Sequence, residues 1–274
     1  MLYVFLLKIF SNRSVVCYNL FGSKQMERIK LTIEYDGTNF SGYQVQPGKR
    51  TVQGEIEKAL EKIYQQKVET FASGRTDAGV HAYGAVLHFD PPKELKNPKI
   101  QESINAYLPE DIKVMNLERV DESFDARFSS KKKTYVYKFY LSKFERPLLR
   151  NYALMVDDRV DVEKMKQACK YLVGERDYRS FVARKSGKTN FVRTIYSADI
   201  EKIAENEYQF KISGNGFLYN MVRIIMGTLI NIGLSRNQVS DMEKIIEAKD
   251  RTKAGKTVKS CGLYLLSVDY GEKF

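Results

Sequence analysis

Alternation of apolar and polar positions marks out the elements of this chain. In "RIKLTIEYDG", Ile29, Leu31, Ile33 and Tyr35 fall on one face at strand period, and an Asp-Gly turn closes the run. In "VQGEIEKALEKIYQQ", Ile56, Leu60, Ile63 and Tyr64 recur at helical spacing. "AVLHFD" reads as a short strand stopped by Pro91-Pro92, residues 91–100 as a Pro- and Lys-rich loop, 101–107 as a helix and 112–120 as a strand. The second half starts again with a strand, "TYVYKFYL". "DVEKMKQACKYLVG" predicts an amphipathic helix with Val162, Met165, Cys169 and Leu172 inward, Asp161 as N-cap and Gly174 as stop. "TIYSADIEKI" and "EYQFKISG" form a hairpin. "LYNMVRIIMGTLINIGL" is apolar nearly all round, the mark of a helix buried on several sides. "SDMEKIIEAK" is another helix, with Ser240 and Glu243 at capping-box spacing, and "CGLYLLSVDY" is a closing strand. Hairpins interrupt the strand–helix alternation, so the pattern predicts an α+β fold and not a purely parallel sheet. Each half runs strand, helix, then further strands, which hints at a duplicated topology without a residue-level repeat.

Composition narrows the function. The 274 residues suit one large domain or two small ones. With 43% hydrophobic and 29% charged residues, the chain is globular and not disordered. A net charge of +11 favours an anionic partner, nucleic acid first. Eighteen Tyr and fifteen Phe strengthen that reading, because flat rings among cations hold single-stranded bases. Cys17, Cys169 and Cys261 are far apart and form no CxxC pair, which suits a reducing compartment and argues against structural zinc. His81 and His88 have no cysteine nearby, so no metal site is expected. No stretch is long enough to cross a bilayer. Residues 1–25 carry Lys8, Arg13 and Lys24 and no acid, a composition that a transit peptide can have. The clean strand pattern starts only after Met26, which favours an upstream start over a leader. The expected location is cytoplasmic, or organellar if residues 1–25 are a leader.

Two residues stand out chemically. Arg223 is the only charged residue between Gly216 and Ser235. Either a carboxylate meets it inside the protein or its guanidinium snorkels to the surface. Asp77 lies in "SGRTDAGVHA", between Gly74 and Gly79, where small neighbours let another element approach. An Asp before Ala-Gly is most simply a turn or helix cap. With Arg75 two residues back, it also suits an ionised carboxylate acting as nucleophile or base. Tyr135 and Tyr137 share a strand face beside Lys131, Lys132 and Lys133. They are core, or one of them stacks on a base while the lysines meet phosphates. Arg184, Lys185 and Lys188 in "RKSGK" form a second basic run, and "KDRTKAGKTVK" a third; either can equally be a solvated loop. Two nucleotide-binding motifs fail: "DRTKAGKT" has Asp250 where a P-loop needs glycine, and "GNGFLY" has Tyr219 where a dinucleotide fingerprint needs its third glycine.

"SGRTDAGVHA" resembles the signature of the tRNA pseudouridine synthase A family. "YDGTNFSGYQVQ", "QGEIEKAL", "FDARFSS" followed by "TYVYKFY", "RDYRSF", "VRTIYS", "GNGFLYNMVRIIMGTLINIG" and "GLYLLSVDY" match further blocks in the family's order. The resemblance runs from Met26 to the C-terminus and leaves out residues 1–25. It implies a pseudouridine synthase fold: two similar α/β halves, residues 26–130 with the catalytic acid and 131–274, forming a mostly antiparallel sheet with flanking helices and a basic central cleft. It also implies isomerisation of uridine to pseudouridine at positions 38, 39 and 40 of the tRNA anticodon stem-loop, by a homodimer needing no metal or cofactor. By the same resemblance Asp77 is the catalytic carboxylate, Tyr135 packs on the target base, Arg223 pairs with Asp77, and Arg75 helps hold the nucleotide out of its stack. Tyr43 departs from the family's usual tryptophan, Ser73 replaces a small residue, and "AGKTVKSCGLYL" lacks the usual prolines. Two rivals remain: a tRNA-binding protein without chemistry, and a pseudouridine synthase with another RNA target.

Overall fold

The inward positions of the first strand are sealed: Ile29, Leu31, Ile33 and Tyr35 of β1 (Arg28–Tyr35) are all nearly inaccessible to solvent. The computed structural model describes residues 27–93, 97, 99–183 and 190–272, so residues 1–25 lie outside it. After β1 come α1 (Val52–Tyr64), β2 (Phe71–Ala72), β3 (His81–Phe89), α2 (Ile100–Tyr107) and β4 (Ile112–Val120). The second half holds β5 (Lys132–Leu141), β6 (Leu154–Val156), α3 (Val162–Cys169), β7 (Gly174–Asp177), β8 (Val192–Ala204), β9 (Glu207–Gly214), α4 (Met221–Gly233), α5 (Asp241–Ala248) and β10 (Leu263–Asp269).

One sheet spans both halves, in the order β4-β1-β3-β10-β5-β9-β8-β7, with β2 beside β3 and β6 beside β5. Its pairs are antiparallel except β3 with β10 and β5 with β6. The closing strand β10 is therefore the joint, parallel to the N-terminal half's β3 and antiparallel to β5. Its side chains divide accordingly. Leu263 packs in the core built by α3, α4 and α5, and Leu265 in the core built by α1 and α2. Residues two apart in a strand share a face, so both helical layers cover the same face of the sheet and meet along β10.

Three of the expected elements differ in detail from the sequence reading, each for an identifiable reason. β3 begins at His81 and not near Ala85, because β10 pairs with it at His81 and Ala82. Gly84 permits this approach: a Cβ there would lie 2.8 Å from the Leu266 carbonyl oxygen. The helix after Asp161 tightens into a 3₁₀ turn at Lys170–Leu172 and stops before Gly174, whose φ of +113° suits glycine alone. The capping box at Ser240 and Glu243 does not form. Ser240 already has helical backbone angles, and Asp241 instead accepts from the Gln238 N–H at 2.8 Å. No described helix is long and apolar enough to cross a membrane.

Both histidines are structural. His81 Nδ1 accepts the Gly37 N–H at 3.1 Å, and its Nε2 faces the Asn151 carbonyl at 2.9 Å. His88 Nδ1 accepts the Ala126 N–H at 3.0 Å. Burial lowers the pKa of each below the ordinary value of 6.5; Asp36 partly opposes this for His81, and the Arg28 charge adds to it for His88. A base depressed in the folded state binds protons more readily when unfolded. Its stability contribution is complete above the ordinary value and is lost as pH falls through 6.5 towards the folded values. The melting temperature should therefore fall between about pH 7.5 and 5.5, and fall less in His88→Gln. A flat melting temperature over that range would show that these imidazoles accept protons without cost.

Candidate active site

Where the two helical layers meet, a cleft of about 730 Å³ opens. Asp77 stands in its wall, on a turn clamped from several sides. The Tyr43 N–H donates to the Thr76 carbonyl at 3.0 Å, the Tyr35 hydroxyl meets Thr76 Oγ1 at 2.8 Å, and the Val80 N–H returns to the Asp77 carbonyl at 3.2 Å. Gly79 has φ +73°, and a Cβ on it would sit 2.7 Å from Ser260 Oγ. This glycine therefore serves both the left-handed backbone and the close approach of the C-terminal loop. The carboxylate is thus presented by a rigid turn and not by a mobile loop.

Arg223 comes to it from α4. Its Nη1 lies 3.2 Å from Asp77 Oδ2 and 2.8 Å from Asn220 Oδ1, while its Nε donates to the Val258 carbonyl at 2.8 Å. The Arg223 and Asp77 side chains are 18% and 28% exposed, so the pair is sheltered without being sealed. Of the two readings of Arg223, the ion pair and not the snorkel describes its surroundings. The loop that supplies Val258 lies against α4 because two glycines allow it. A Cβ on Gly227 would meet the Lys256 carbonyl oxygen at 2.0 Å, and one on Gly255 would meet the Gly227 carbonyl carbon at 2.5 Å. The Gly255 N–H then donates to Thr228 Oγ1 at 2.9 Å.

Tyr135 and Tyr137 of β5 part company. Tyr137 is fully buried core, its hydroxyl bonded to the Lys259 carbonyl. Tyr135 is half-buried, lines the cleft and lies edge-on to Phe217 at 5.1 Å. Burial first, then the Asp77 charge, pushes the Tyr135 phenol well above its ordinary pKa. It is a neutral ring at working pH, suited to stacking and not to acting as a base. Arg75 is exposed in the same wall, and Lys133 reaches across to the Ser73 carbonyl. The other members of the lysine cluster stay outside: Lys132 pairs with Asp269 at 3.1 Å, and Lys131 is exposed away from the lining. Arg184, Lys185 and Lys188 lie outside the described residues.

Charged groups in the lining are mixed: Arg75, Arg127 and Lys133 against Glu69, Asp77 and Asp125. Their engagement differs. Asp77 is held by Arg223, and Asp125 by the backbone N–H groups of Arg127 and Phe128. Arg75 and Arg127 have no carboxylate partner among the described residues. These two guanidinium groups suit a phosphate backbone, while the Glu69 carboxylate, also without an ion pair among the described residues, is exposed in the same lining. Asn220, Phe217, Arg127, Phe128 and the Val258 carbonyl belong to this site and were not singled out in the sequence. Asn220 carried one usable signal, standing three residues before the lone arginine of its helix. Among the described residues, no group of three or more His, Cys, Asp or Glu is arranged to hold a metal ion.

Two helical layers share one sheet, with an aspartate–arginine pair at their seam, and the sequence matches a family of RNA-modifying enzymes. The model of the tRNA pseudouridine synthase family matches residues 31–129 and 168–271. The chain belongs to that family. The two matched blocks carry Asp77 and Arg223 respectively, and Tyr135 falls between them. The chain is 46% identical over 245 residues to tRNA pseudouridine synthase A of Geobacillus sp. (strain WCH70), covering 89% of this chain and 98% of that protein. It is 46% identical to tRNA pseudouridine synthase A of Bacillus subtilis (strain 168), covering 89% and 99%. The archaeal box H/ACA sRNP Nop10-Cbf5 complex aligns with a TM-score of 0.32 at 9% identity, over 89% of this chain and 47% of that one, which is too distant to bear on the argument.

Proposed function

We propose that this protein isomerises uridine to pseudouridine at positions 38, 39 and 40 of the tRNA anticodon stem-loop, with Asp77 as the catalytic carboxylate. Family membership supports the reaction and the tRNA substrate. The observation that carries the residue assignment is the seating of Asp77 in the cleft wall, 3.2 Å from Arg223, in a lining shared with Tyr135. The reaction breaks the bond between uracil N1 and ribose C1′, turns the base, joins C5 to C1′, releases the C5 proton and takes up a proton at N1. No atom other than that proton leaves the nucleotide, so no electron or group carrier is called for. A base stacked in a stem must first swing out into a pocket. Tyr135 offers the neutral face on which the uracil rests, and Arg75 a cation at the rim. Asp77 then adds at C1′, removes a C2′ proton, or attacks C6; each route uses the carboxylate, which Arg223 holds in place from 3.2 Å.

The proposal extends to a cytoplasmic homodimer of halves 26–130 and 131–274, on the resemblance alone. A scattering mass near the single-chain 31.7 kDa would remove the dimer. The test of function is pseudouridine mapping on an unmodified tRNA transcript with uridines at 38, 39 and 40, read as carbodiimide-dependent primer-extension stops. New stops at those positions are expected. Tight binding without stops would favour the binding-protein reading, and stops elsewhere would favour another RNA target.

A further inference from the structure

Phe128 is 79% exposed. Exposure alone says little, since single surface apolar residues are common and Phe144 is 80% exposed without lining the cleft. Phe128 differs in its setting. It lines the same cleft as Asp77 and Tyr135, and the loop beneath it is unusually fixed. Asp125 Oδ1 accepts the N–H groups of Arg127 at 2.7 Å and Phe128 at 2.8 Å. The Asp125 N–H donates to Ser129 Oγ at 3.0 Å, the Ser129 N–H returns to the Asp125 carbonyl at 2.9 Å, and the Ser130 hydroxyl donates to the Arg127 carbonyl at 3.0 Å. On either side of Asp125, Phe124 and Ala126 are fully buried and anchor the loop to the sheet. The Arg127 guanidinium lies over the Phe128 ring, 5.3 Å from its centroid, with no carboxylate of its own among the described residues. A water-facing phenyl ring is thus held rigidly at the mouth of the cleft, beside a cation free to meet a phosphate.

Given the uridine-isomerase reading above, we propose that Phe128 is a wedge: its ring enters the base stack beside the target and occupies the place the uracil vacates, while Arg127 contacts a neighbouring phosphate. Among the aromatic side chains lining the cleft, the half-buried Tyr135 serves the extruded base, and Phe128, more exposed than Phe71 at 45% or Tyr219 at 48%, serves the stack left behind. A phenyl ring has no hydrogen-bonding group, so it reads no base edge and can only fill or pry open a stack. Its rigid loop means that little freedom is lost on insertion.

A wedge matters most when the target must be pulled from a pair, and least when the base is already unpaired. Two stem-loops separate this from a general RNA contact: one with the target uridine paired to adenine, the other identical but with a mismatched base opposite. Steady-state kcat and KM are measured on both for wild type, Phe128→Ala, Phe128→Leu and the exposed control Phe144→Ala. Phe128→Ala should lose about tenfold or more in kcat/KM on the paired RNA, the factor one base stack supplies, and stay within about threefold on the mismatched RNA. Phe128→Leu should fall between, and Phe144→Ala should match wild type. Melting temperatures should be unchanged, because an exposed ring contributes little to folding. Equal losses on the two RNAs, no loss on either, or the same loss in Phe144→Ala would overturn the wedge. A wild-type protein inactive on both RNAs would instead remove the isomerase reading on which it rests.

Discussion

Replacing Asp77 with alanine should lower pseudouridine formation by at least about 10⁴-fold while leaving tRNA affinity within about threefold, because the loss of an attacking group is rarely made good by its neighbours. The neighbours here are poorly placed to do so. Glu69 is exposed at the rim, and Asp125 is committed to two backbone N–H groups. Affinity should persist because the contacts assigned to RNA, Arg75, Arg127 and the cleft rings, do not depend on the carboxylate. Stability should change little. Arg223 keeps its bonds to the Val258 carbonyl and Asn220, and the pair is partly open to water, so the cost is on the order of 1 kcal/mol. The C5 proton leaves during the reaction, so release of tritium from tRNA labelled at uridine C5 reads the chemistry directly. Filter binding on the same preparation reads affinity. Residual turnover above about 1%, or a loss of binding in a folded variant, would take the catalytic role away from Asp77.

Much of the frame could be read from alternation because the strands have one buried face. The pattern in β1 names its four core residues, and the apolar run of α4 announces a helix enclosed by its surroundings. Sequence patterns fail where pairing partners or side-chain competition decide. The early start of β3 depends on β10, which lies far along the chain, and no local pattern contains that contact. At α5, Ser240 has helical backbone angles and makes no side-chain cap, and the three-residue spacing to Glu243 carries no information about that backbone. The site shows the same division. Arg223 was conspicuous because charge within an apolar helix demands compensation, and Asp77 because of its glycine-flanked turn. Tyr135 and Tyr137 could not be separated by sequence, since both occupy the same strand face; only the position of the cleft divides core from surface. Phe128 was marked by nothing beyond its place in the block "FDARFSS", because an exposed phenylalanine is recognisable only once the exposure is seen.

Arg223→Ala should cost both stability and activity, which distinguishes it from Asp77→Ala. Truncation removes three hydrogen bonds at once and strands the Asp77 carboxylate, the Asn220 amide oxygen and the Val258 carbonyl. An unpaired sheltered carboxylate together with two unsatisfied acceptors should destabilise the fold by about 2–3 kcal/mol. For a chain of this size that is a fall of roughly 4–12 °C in melting temperature. Asp77 would also lose the partner that fixes its carboxylate, and the Val258 loop its tether, so turnover should drop by about 10²–10³-fold. Arg223→Lys should recover part of the activity and less of the stability. An ammonium supplies the charge, but it lacks the forked geometry that reaches Asp77, Asn220 and Val258 together. The decisive comparison is the double variant Asp77→Ala/Arg223→Ala. If the arginine serves catalysis through the aspartate, the double variant should be no less active than Asp77→Ala alone, while its melting temperature should exceed that of Arg223→Ala, because the stranded carboxylate is gone. A wild-type melting temperature for Arg223→Ala, or a further loss of activity in the double variant, would break the link between the two residues and leave Arg223 an independent role in holding RNA.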